Sequence, residues 1–577
     1  MLSVQTRQTH SMRTRDGIRL DADVYIPMGK GPFPVLLMRQ PYGRAIASTI
    51  VYGHPRWYAA HGYIVIIQDV RGRGTSEGDF NLFAYEVGDG ADTLEWASQF
   101  PGSDGQIGMY GFSYQGMTQL YAAQTKISAL KTIVPAMTGY HLYEDWAYEN
   151  GALCLQLGLT WAIQLAAETA RLQGKHADYQ RLLTAARNLP LEEAMPARPT
   201  VLEGVQSFLH DWISHPHQDS YWEALTPELS SVDLPSLHIG GWMDPYLRGD
   251  IRLYQELSAK PQHPHHLWIG PWGHIPWGRK VGAMDFGAAA MSPVDNLQIQ
   301  WFNAILKGQS IETAEQTNGV QPSLSASQPV CLFEMGRNRW RQLPNWPNAS
   351  MHPYVLQSDG LSNIREDSGT LVDSSVLELC DQPIHNKTNS HITANNGDIA
   401  YQDSVVHDPW NPAPALGGHS AIPAGVFERT AIDHRGDVLT YTTTPLTTEM
   451  RVAGVAKVVA KMTSSASSFD ISAVLSRVTK GGTYNLTQGY RHIREIKPNH
   501  PTPITLPLHP TCFNIAPGES LRLSLSLACF PAYPINPGTG AEPALASLIE
   551  AQIITVEITI GGQHGAELRL PVTNKTG

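Results

Sequence analysis

Ile107-Gly108-Met109-Tyr110-Gly111-Phe112-Ser113-Tyr114-Gln115-Gly116, continued by an apolar run through Leu120 to Ala123, decides the fold. A short apolar strand runs into a glycine-flanked serine, and helical periodicity begins at once. That is the layout of a nucleophile elbow, a strained strand-to-helix turn that lifts a serine hydroxyl clear of a sheet. Gly111 and Gly116 let neighbouring backbone approach where a Cβ would intrude. The second glycine stands three residues after the serine instead of two, so the common G-x-S-x-G spacing is not met. The flanking segments have to carry the reading.

Upstream, residues 17–28 alternate apolar and polar, as a half-exposed antiparallel strand does. Residues 34–39 and 63–69 are continuous apolar runs. Gln40-Pro41-Tyr42-Gly43-Arg44 follows the first, and Arg71-Gly-Arg-Gly-Thr-Ser-Glu-Gly78 follows the second. A helical stretch over 86–99, with Leu94, Trp96 and Ala97, precedes the serine strand. Such runs separated by helices predict a mostly parallel sheet covered on both faces. Downstream, 130–135 is the next strand. Residues 140–232 switch to helical periodicity without strands, through Leu153, Leu155, Leu157, Leu159, Trp161 and Ile163, with further helices over 165–186 and 200–214. Strands return at 235–244 and 266–274, and an amphipathic helix near 294–307 closes the domain. The fold class is α/β, with an α/β-hydrolase domain (1–139 and 233–308) and a helical cap (140–232) inserted over its carboxyl edge.

Residues 308–328, rich in Gln, Ser and Thr, read as a linker. Beyond them lie an apolar strand at 329–334, then Leu521, Leu523, Leu525 and Leu527 alternating with Arg522, Ser524 and Ser526. Ile554, Val556, Ile558 and Ile560 alternate in the same way. Many short strands with Gly, Pro and Asn turns predict a C-terminal antiparallel β-sandwich, a jelly roll, over 325–577. The 380–425 region, with little periodicity and several prolines, reads as a long packed excursion.

At 577 residues the chain is too long for one core. A net charge of −11 argues against non-specific binding to nucleic acid or an anionic membrane, which needs a basic surface. The five cysteines (154, 331, 380, 512 and 529) show no CxxC spacing, so neither a disulfide framework nor a thiolate metal site follows. The N-terminus lacks an apolar signal core, and no run approaches membrane-spanning length. The expectation is a soluble protein of the reducing cytoplasm.

A serine at an elbow needs a base, an acid to orient that base, and donors for the developing oxyanion. In α/β-hydrolases these follow in the order Ser, Asp or Glu, His. The two returning strands end in the required residues: Asp244 after Gly240-Gly-Trp-Met, and His274 after Gly270-Pro-Trp-Gly. Both stand just past the carboxyl end of a strand, where ligands bind in open α/β sheets. The backbone N–H of Tyr114 is one oxyanion donor, and the Tyr42 hydroxyl, in the loop after 34–39, is the candidate for the second. The clusters His215-Pro-His217 and His263-Gln-Pro-His265-His266 are irregular, proline-broken and without clustered acids, so no metal and no cofactor is expected.

Gly-Phe-Ser-Tyr-Gln-Gly (111–116), Arg-Gln-Pro-Tyr-Gly (39–43), Asp-Val-Arg-Gly-Arg-Gly-Thr-Ser-Glu-Gly (69–78), Gly-Trp-Met-Asp (241–244) and Gly-Pro-Trp-Gly-His (270–274) occur together. So do His215-Pro…Asp219…Tyr221-Trp222 and Met335-Gly-Arg-Asn-Arg-Trp340. In this combination the chain resembles the cocaine-esterase-like hydrolases, a family that includes X-Pro dipeptidyl-peptidases and α-amino acid ester hydrolases. The resemblance spans nearly the whole sequence. It implies a hydrolase domain, a helical cap and a C-terminal jelly roll, a Ser113–His274–Asp244 triad and a Tyr42/Tyr114 oxyanion hole. In that family two cap tryptophans flank the acyl pocket, and Trp146 and Trp161 match them. Tyr246 is a plausible wall in the same arrangement. Homo-oligomerisation is common among relatives, and a homodimer is what the resemblance leads one to expect here.

Three functions stay open at this level. One is a serine esterase or amidase acting on a small acyl substrate through an acyl-enzyme, with transfer to a nucleophile other than water as a variant. The second is an X-Pro dipeptidyl-peptidase, another aminopeptidase or an α-amino acid ester hydrolase. It requires a buried carboxylate for the substrate ammonium, and Glu144, Asp145 and Glu149 are the acids available. The third is a β-sandwich binding protein with an inert hydrolase domain.

Overall fold

The apolar runs at 34–39 and 63–69 lie side by side within a ten-stranded sheet in the computed structural model. The structure describes residues 1–46, 50–191, 200–260, 262–311, 322–377, 401–561 and 565–573. The strands of this sheet are β1 (Gln8–Arg13), β2 (Arg19–Tyr25), β3 (Phe33–Gln40), β4 (Ile64–Asp69), β5 (Ser103–Phe112), β6 (Leu130–Ala136), β7 (Ser236–Met243), β8 (His265–Gly273), β9 (Val330–Glu334) and β10 (Arg339–Leu343). They lie in the order β1-β2-β4-β3-β5-β6-β7-β8-β9-β10. β1, β2 and β10 join antiparallel, whereas every pair from β4 to β9 is parallel. The longer helices are α1 (Glu86–Ser98), α2 (Tyr114–Ala123), α3 (Leu155–Leu172), α4 (His176–Arg187), α5 (Leu247–Ser258) and α6 (Val294–Lys307).

Continuous apolar strands follow from this layering. Val35, Leu37, Ile64 and Ile66 pack with Leu94 of α1 and Leu120 of α2 on one face. Leu36, Met38, Val65 and Ile67 pack with Trp301 and Phe302 of α6 on the other. Successive side chains point to opposite faces, so a polar residue at any of these positions would forfeit about 1.5–3 kcal/mol of burial.

Residues 140–232 are mainly helical, but not strand-free. A π-helical turn (Leu142–Ala147) leads into a two-residue hairpin, Tyr148–Glu149 paired with Ala152–Leu153. Asn150 and Gly151 at its tip both have positive φ, the conformation of a two-residue type I′ turn, for which Asn-Gly is the strongest short signal. The helical stretch over 165–186 comprises the end of α3 and most of α4, separated at Gly174 with φ 69. Of the one expected over 200–214, only Phe208–Ser214 is α-helical, capped by the Ser207 side chain.

The strand at 329–334 is also placed differently. Expected in the C-terminal sandwich, β9 instead pairs parallel with β8 (Leu267 with Val330, Trp268 with Cys331, Ile269 with Leu332) and extends the first sheet. Its five residues are all buried, Val330 and Leu332 on one side and Cys331 on the other. That pattern suits a two-sided parallel strand as well as a sandwich core.

Most of the remaining strands form a second, thirteen-stranded sheet among the described residues. Leu521, Leu523, Leu525, Ile554, Val556 and Ile558 point into its core, which runs without a break into Trp242, Leu267 and Leu332 of the first sheet. Arg522 and Ser524, which alternate with these leucines, are buried as well. The short helix Thr430–Asp433 covers them, and Asp433 accepts from the Ser524 hydroxyl (2.9 Å) and from Arg522 (3.5 Å). The middle of the expected linker, and Cys380 with the start of the excursion at 380–425, lie outside the described residues. Among the described residues no helix is long and apolar enough to cross a membrane.

A buried ion pair ties the sheet to the helices around the elbow. Arg39, fully buried at the end of β3, donates through Nη1 to Glu86 Oε2 (2.5 Å) and through Nε to Gln68 Oε1 (2.8 Å). The other Glu86 oxygen accepts from the Tyr114 hydroxyl (2.7 Å). Removing one partner of a buried pair costs about 3–5 kcal/mol, because a charge is left uncompensated. Glu86→Ala should therefore lower the calorimetric unfolding temperature markedly. Glu86→Leu combined with Arg39→Met should recover most of the loss; an unaltered transition in the single variant would contradict this.

Candidate active site

β5 ends at Phe112 and α2 begins at Tyr114, so one residue, Ser113, must reverse the chain. It sits at φ 60 and ψ −127, a region that costs a residue with a side chain on the order of 1–3 kcal/mol. Its surroundings fix it there. The Ser113 N–H donates to the Ala136 carbonyl of β6 (2.9 Å), and the Ser113 carbonyl accepts from the Gly116 N–H (2.8 Å) and the Thr138 hydroxyl (2.8 Å). A Cβ on Gly116 would lie 2.6 Å from that of Thr138, and one on Gly111 (φ 142) would lie 2.5 Å from that of Gln115. The close approach in this elbow is thus to the turn after β6, which explains why the glycine stands at 116. Position 115 instead holds a glutamine whose Oε1 accepts from the Phe112 N–H (3.2 Å).

Asp244 and His274 follow the adjacent parallel strands β7 and β8, at the same carboxyl edge as the elbow. Asp244 is wholly buried. Its Oδ2 lies 2.6 Å from His274 Nδ1, and its Oδ1 accepts from the Tyr246 N–H (2.9 Å). A carboxylate can only accept, so Nδ1 carries the proton and Nε2 is the free base. The His274 ring is held between Phe112 (5.4 Å) and Tyr246 (5.1 Å). Ser113 and His274 line one cavity of about 880 Å³, with Tyr42, Trp161 and Tyr246 also in its wall.

The Tyr42 hydroxyl accepts from Trp161 Nε1 (3.2 Å). Burial pushes its pKa up to about 12, against smaller opposing pulls from Trp161, Arg73 and Ser113, so it is a neutral O–H donor at ordinary pH. The Tyr114 N–H opens α2, ahead of the Gly116 and Met117 N–H groups that bond back to Ser113. The Tyr114 side chain turns into the core, its hydroxyl on Glu86 and its ring stacked on Phe83 (4.5 Å). Trp146, expected beside the acyl pocket with Trp161, is not among the lining residues. It is buried behind Tyr246, stacked at 4.3 Å, and 5.3 Å from Trp161.

The three cap acids are all engaged. Glu144 and Asp145 pair with Arg252, and Asp145 also accepts from the Tyr140 and His141 N–H groups. Glu149 is buried against Arg248 (2.8 Å) and His419 (2.8 Å). Of the histidine clusters, His215 lies on Asp219 (2.6 Å), His217 on Arg494 (2.8 Å) and His265 on Ser236 (2.7 Å). One part of the wall went unread in the sequence. Residues 419–427, with Ala421, Ile422 and Phe427, reach the cavity from the C-terminal half. Their only local signals are the glycine pair 417–418 and Pro423-Ala-Gly425, which mark a closed loop but not its destination.

The geometry can be set beside known proteins. The chain matches the model of X-Pro dipeptidyl-peptidase (S15 family) over residues 16–276. It matches that of the X-Pro dipeptidyl-peptidase C-terminal non-catalytic domain over 324–563. It is 28% identical to cocaine esterase of Rhodococcus sp. (strain MB1 Bresler), over 97% of this chain and 97% of that one. An aminopeptidase from the marine sediment archaeon Thaumarchaeota archaeon superposes with a TM-score of 0.77 at 21% identity, over 99% of this chain and 97% of the other. An α-amino acid ester hydrolase superposes at 0.74 and 21%, with the same coverage. These two likenesses speak for a common fold: an α/β-hydrolase unit with a β-rich C-terminal part. With two models of one family spanning most of its length, the chain belongs to the X-Pro dipeptidyl-peptidase (S15) family of serine hydrolases.

Proposed function

We propose that the chain is a carboxylic ester hydrolase acting on an uncharged substrate with an apolar acyl group, through a Ser113–His274–Asp244 triad. The observation that carries the reading is the lining of the cavity. Ser113 and His274 stand among Leu157, Trp161, Tyr246 and Phe427, with no Asp or Glu among the described lining residues. An ammonium-bearing substrate would meet no carboxylate there, and an unpaired buried cation is costly. Glu144, Asp145 and Glu149, the acids an aminopeptidase would use, are already neutralised by arginines of the chain itself. One relative that covers 97% of this chain is an esterase by name.

His274 Nε2 takes the proton of Ser113 as its oxygen attacks the ester carbonyl. Asp244 keeps the Nδ1 proton in place and stabilises the imidazolium. The Tyr42 hydroxyl and the Tyr114 N–H donate to the oxyanion. Collapse expels the alcohol, which leaves with the proton from His274 and leaves the acyl group on Ser113. Water, deprotonated by His274, then attacks the acyl-enzyme and releases the acid.

In this reading the hydrolase domain is 1–139 with 233–308, and 140–232 is a cap whose α3 supplies Leu157 and Trp161. The sandwich over 325–577, a jelly roll, closes the third side with its 419–427 loop. The pairing of β9 and β10 with the first sheet favours a boundary after Leu343.

Wild type should turn over p-nitrophenyl butyrate and p-nitrophenyl benzoate but not Gly-Pro-p-nitroanilide, and Ser113→Ala should lower ester kcat by about 10⁴–10⁶. Cleavage of the anilide alone would replace the esterase reading with the peptidase one. Tyr42→Phe should lower kcat/KM by about 10²–10³, roughly 3–4 kcal/mol, mostly in kcat. Because Tyr42 ionises only near 12, the donor is lost only as pH rises through that value, so wild type should show no fall centred near pH 10. A fall there that Tyr42→Phe abolishes would contradict its role as a neutral donor.

A further inference from the structure

One buried carboxylate beside the cavity has no part in this mechanism. Glu149, 2% exposed in the hairpin before α3, gathers three partners on a single oxygen. Its Oε2 lies 2.8 Å from Arg248 Nη1, 2.8 Å from His419 Nε2 and 2.7 Å from the Tyr533 hydroxyl. The partners come from separate parts of the molecule. Arg248 is the second residue of α5, four after Asp244, and His419 and Tyr533 belong to the C-terminal half. Against the cost of burial, Arg248 and His419 hold the carboxyl well below the usual range, so it stays charged. His419 in turn stacks face to face on the buried His509, with centroids 3.9 Å apart.

The loop that His419 opens is pinned along its length by buried side chains. Gly418 and Gly425 exchange backbone hydrogen bonds at its base (2.7 and 2.8 Å). Gln488 donates to the Ser420 hydroxyl (2.5 Å). Gln156 of α3 accepts from the Ile422 N–H (2.9 Å) and donates to its carbonyl (3.4 Å). Between these anchors Ala421, Ile422, Pro423 and Ala424 face the cavity, whereas Glu149, Arg248, Tyr533 and Gln156 do not line it.

We propose that Glu149 is a positioning residue that sets substrate size: its carboxylate locks the 418–425 loop against the hairpin and α5, and so fixes the width of the cavity beside Ser113. This rests on the ester-hydrolase reading of that cavity. A desolvated carboxylate is stable only while its donors surround it, so the three segments are held in one relative arrangement. The same contacts engage Glu149 Oε2 with groups of the chain itself, in place of a substrate amine.

The test compares wild type, Tyr533→Phe and Glu149→Gln on p-nitrophenyl acetate and p-nitrophenyl benzoate. Loosening the wall should act on binding of the bulky acyl group. KM for the benzoate should rise about threefold in Tyr533→Phe and about tenfold in Glu149→Gln, while KM and kcat for the acetate stay within about twofold. Tyr533→Phe keeps the Glu149–Arg248 pair, so it carries the test by itself if Glu149→Gln does not fold. Unchanged benzoate-to-acetate KM ratios in folded variants, or equal kcat losses on both esters, would overturn the proposal while leaving the esterase reading intact. Absence of ester turnover in wild type would instead overturn both.

Discussion

A serine held at positive φ between a buried strand and a helix is the constraint around which this molecule is built. The conformation is unfavourable for any residue with a Cβ, and it persists because its neighbours leave no alternative. β6 accepts from the Ser113 N–H, Thr138 donates to its carbonyl, and Gly116 lies too close to Thr138 for any larger residue. Thr138 is itself placed by Asp250 of α5, which accepts from the Thr138 and Gly139 N–H groups (2.9 and 3.0 Å). The elbow therefore depends on β5, β6, α2 and α5 together, and α5 begins three residues after Asp244.

The same economy of elements runs through the rest of the site. Parallel pairing of β7 with β8 puts Asp244 and His274 at one sheet edge, where a 2.6 Å contact sets the imidazole tautomer. The hydroxyl of Tyr42 is tied to Trp161 of α3, so the proposed oxyanion donor and the acyl wall share a contact. Polar groups buried around the cavity are paired with one another across segments far apart in sequence. Their pairing keeps the cap acids off the cavity surface, where Lys280 is the only Lys, Arg, Asp or Glu among the described lining residues.

Much of this was legible in the sequence, and what was not has identifiable causes. Ser113, Asp244 and His274 could be singled out because each stands at the end of an apolar run, a local pattern. Tyr42, Trp161 and Tyr246 line the cavity, whereas Trp146 is one layer back, because sequence spacing does not tell a ring facing the cavity from one stacked behind Tyr246. Sequence alone does not separate β9 from a sandwich strand, because Val330-Cys-Leu-Phe-Glu334 is buried on both faces, as a sandwich strand would also be. The burial of Arg522 and Ser524 has no local signal, because the helix that covers them lies about ninety residues earlier. The 419–427 wall was invisible for the same reason: Gln156 and Ile422 are 266 residues apart, and nothing local announces their contact.

We propose that Ser113 becomes the covalently acylated nucleophile with His274 as its base. This is tested most directly by treating the protein with a fluorophosphonate and locating the adduct by peptide mass spectrometry. A single adduct on Ser113 is expected, formed far more slowly in His274→Ala. An adduct on another serine, or unmodified Ser113 in a protein that still turns over esters, would contradict it.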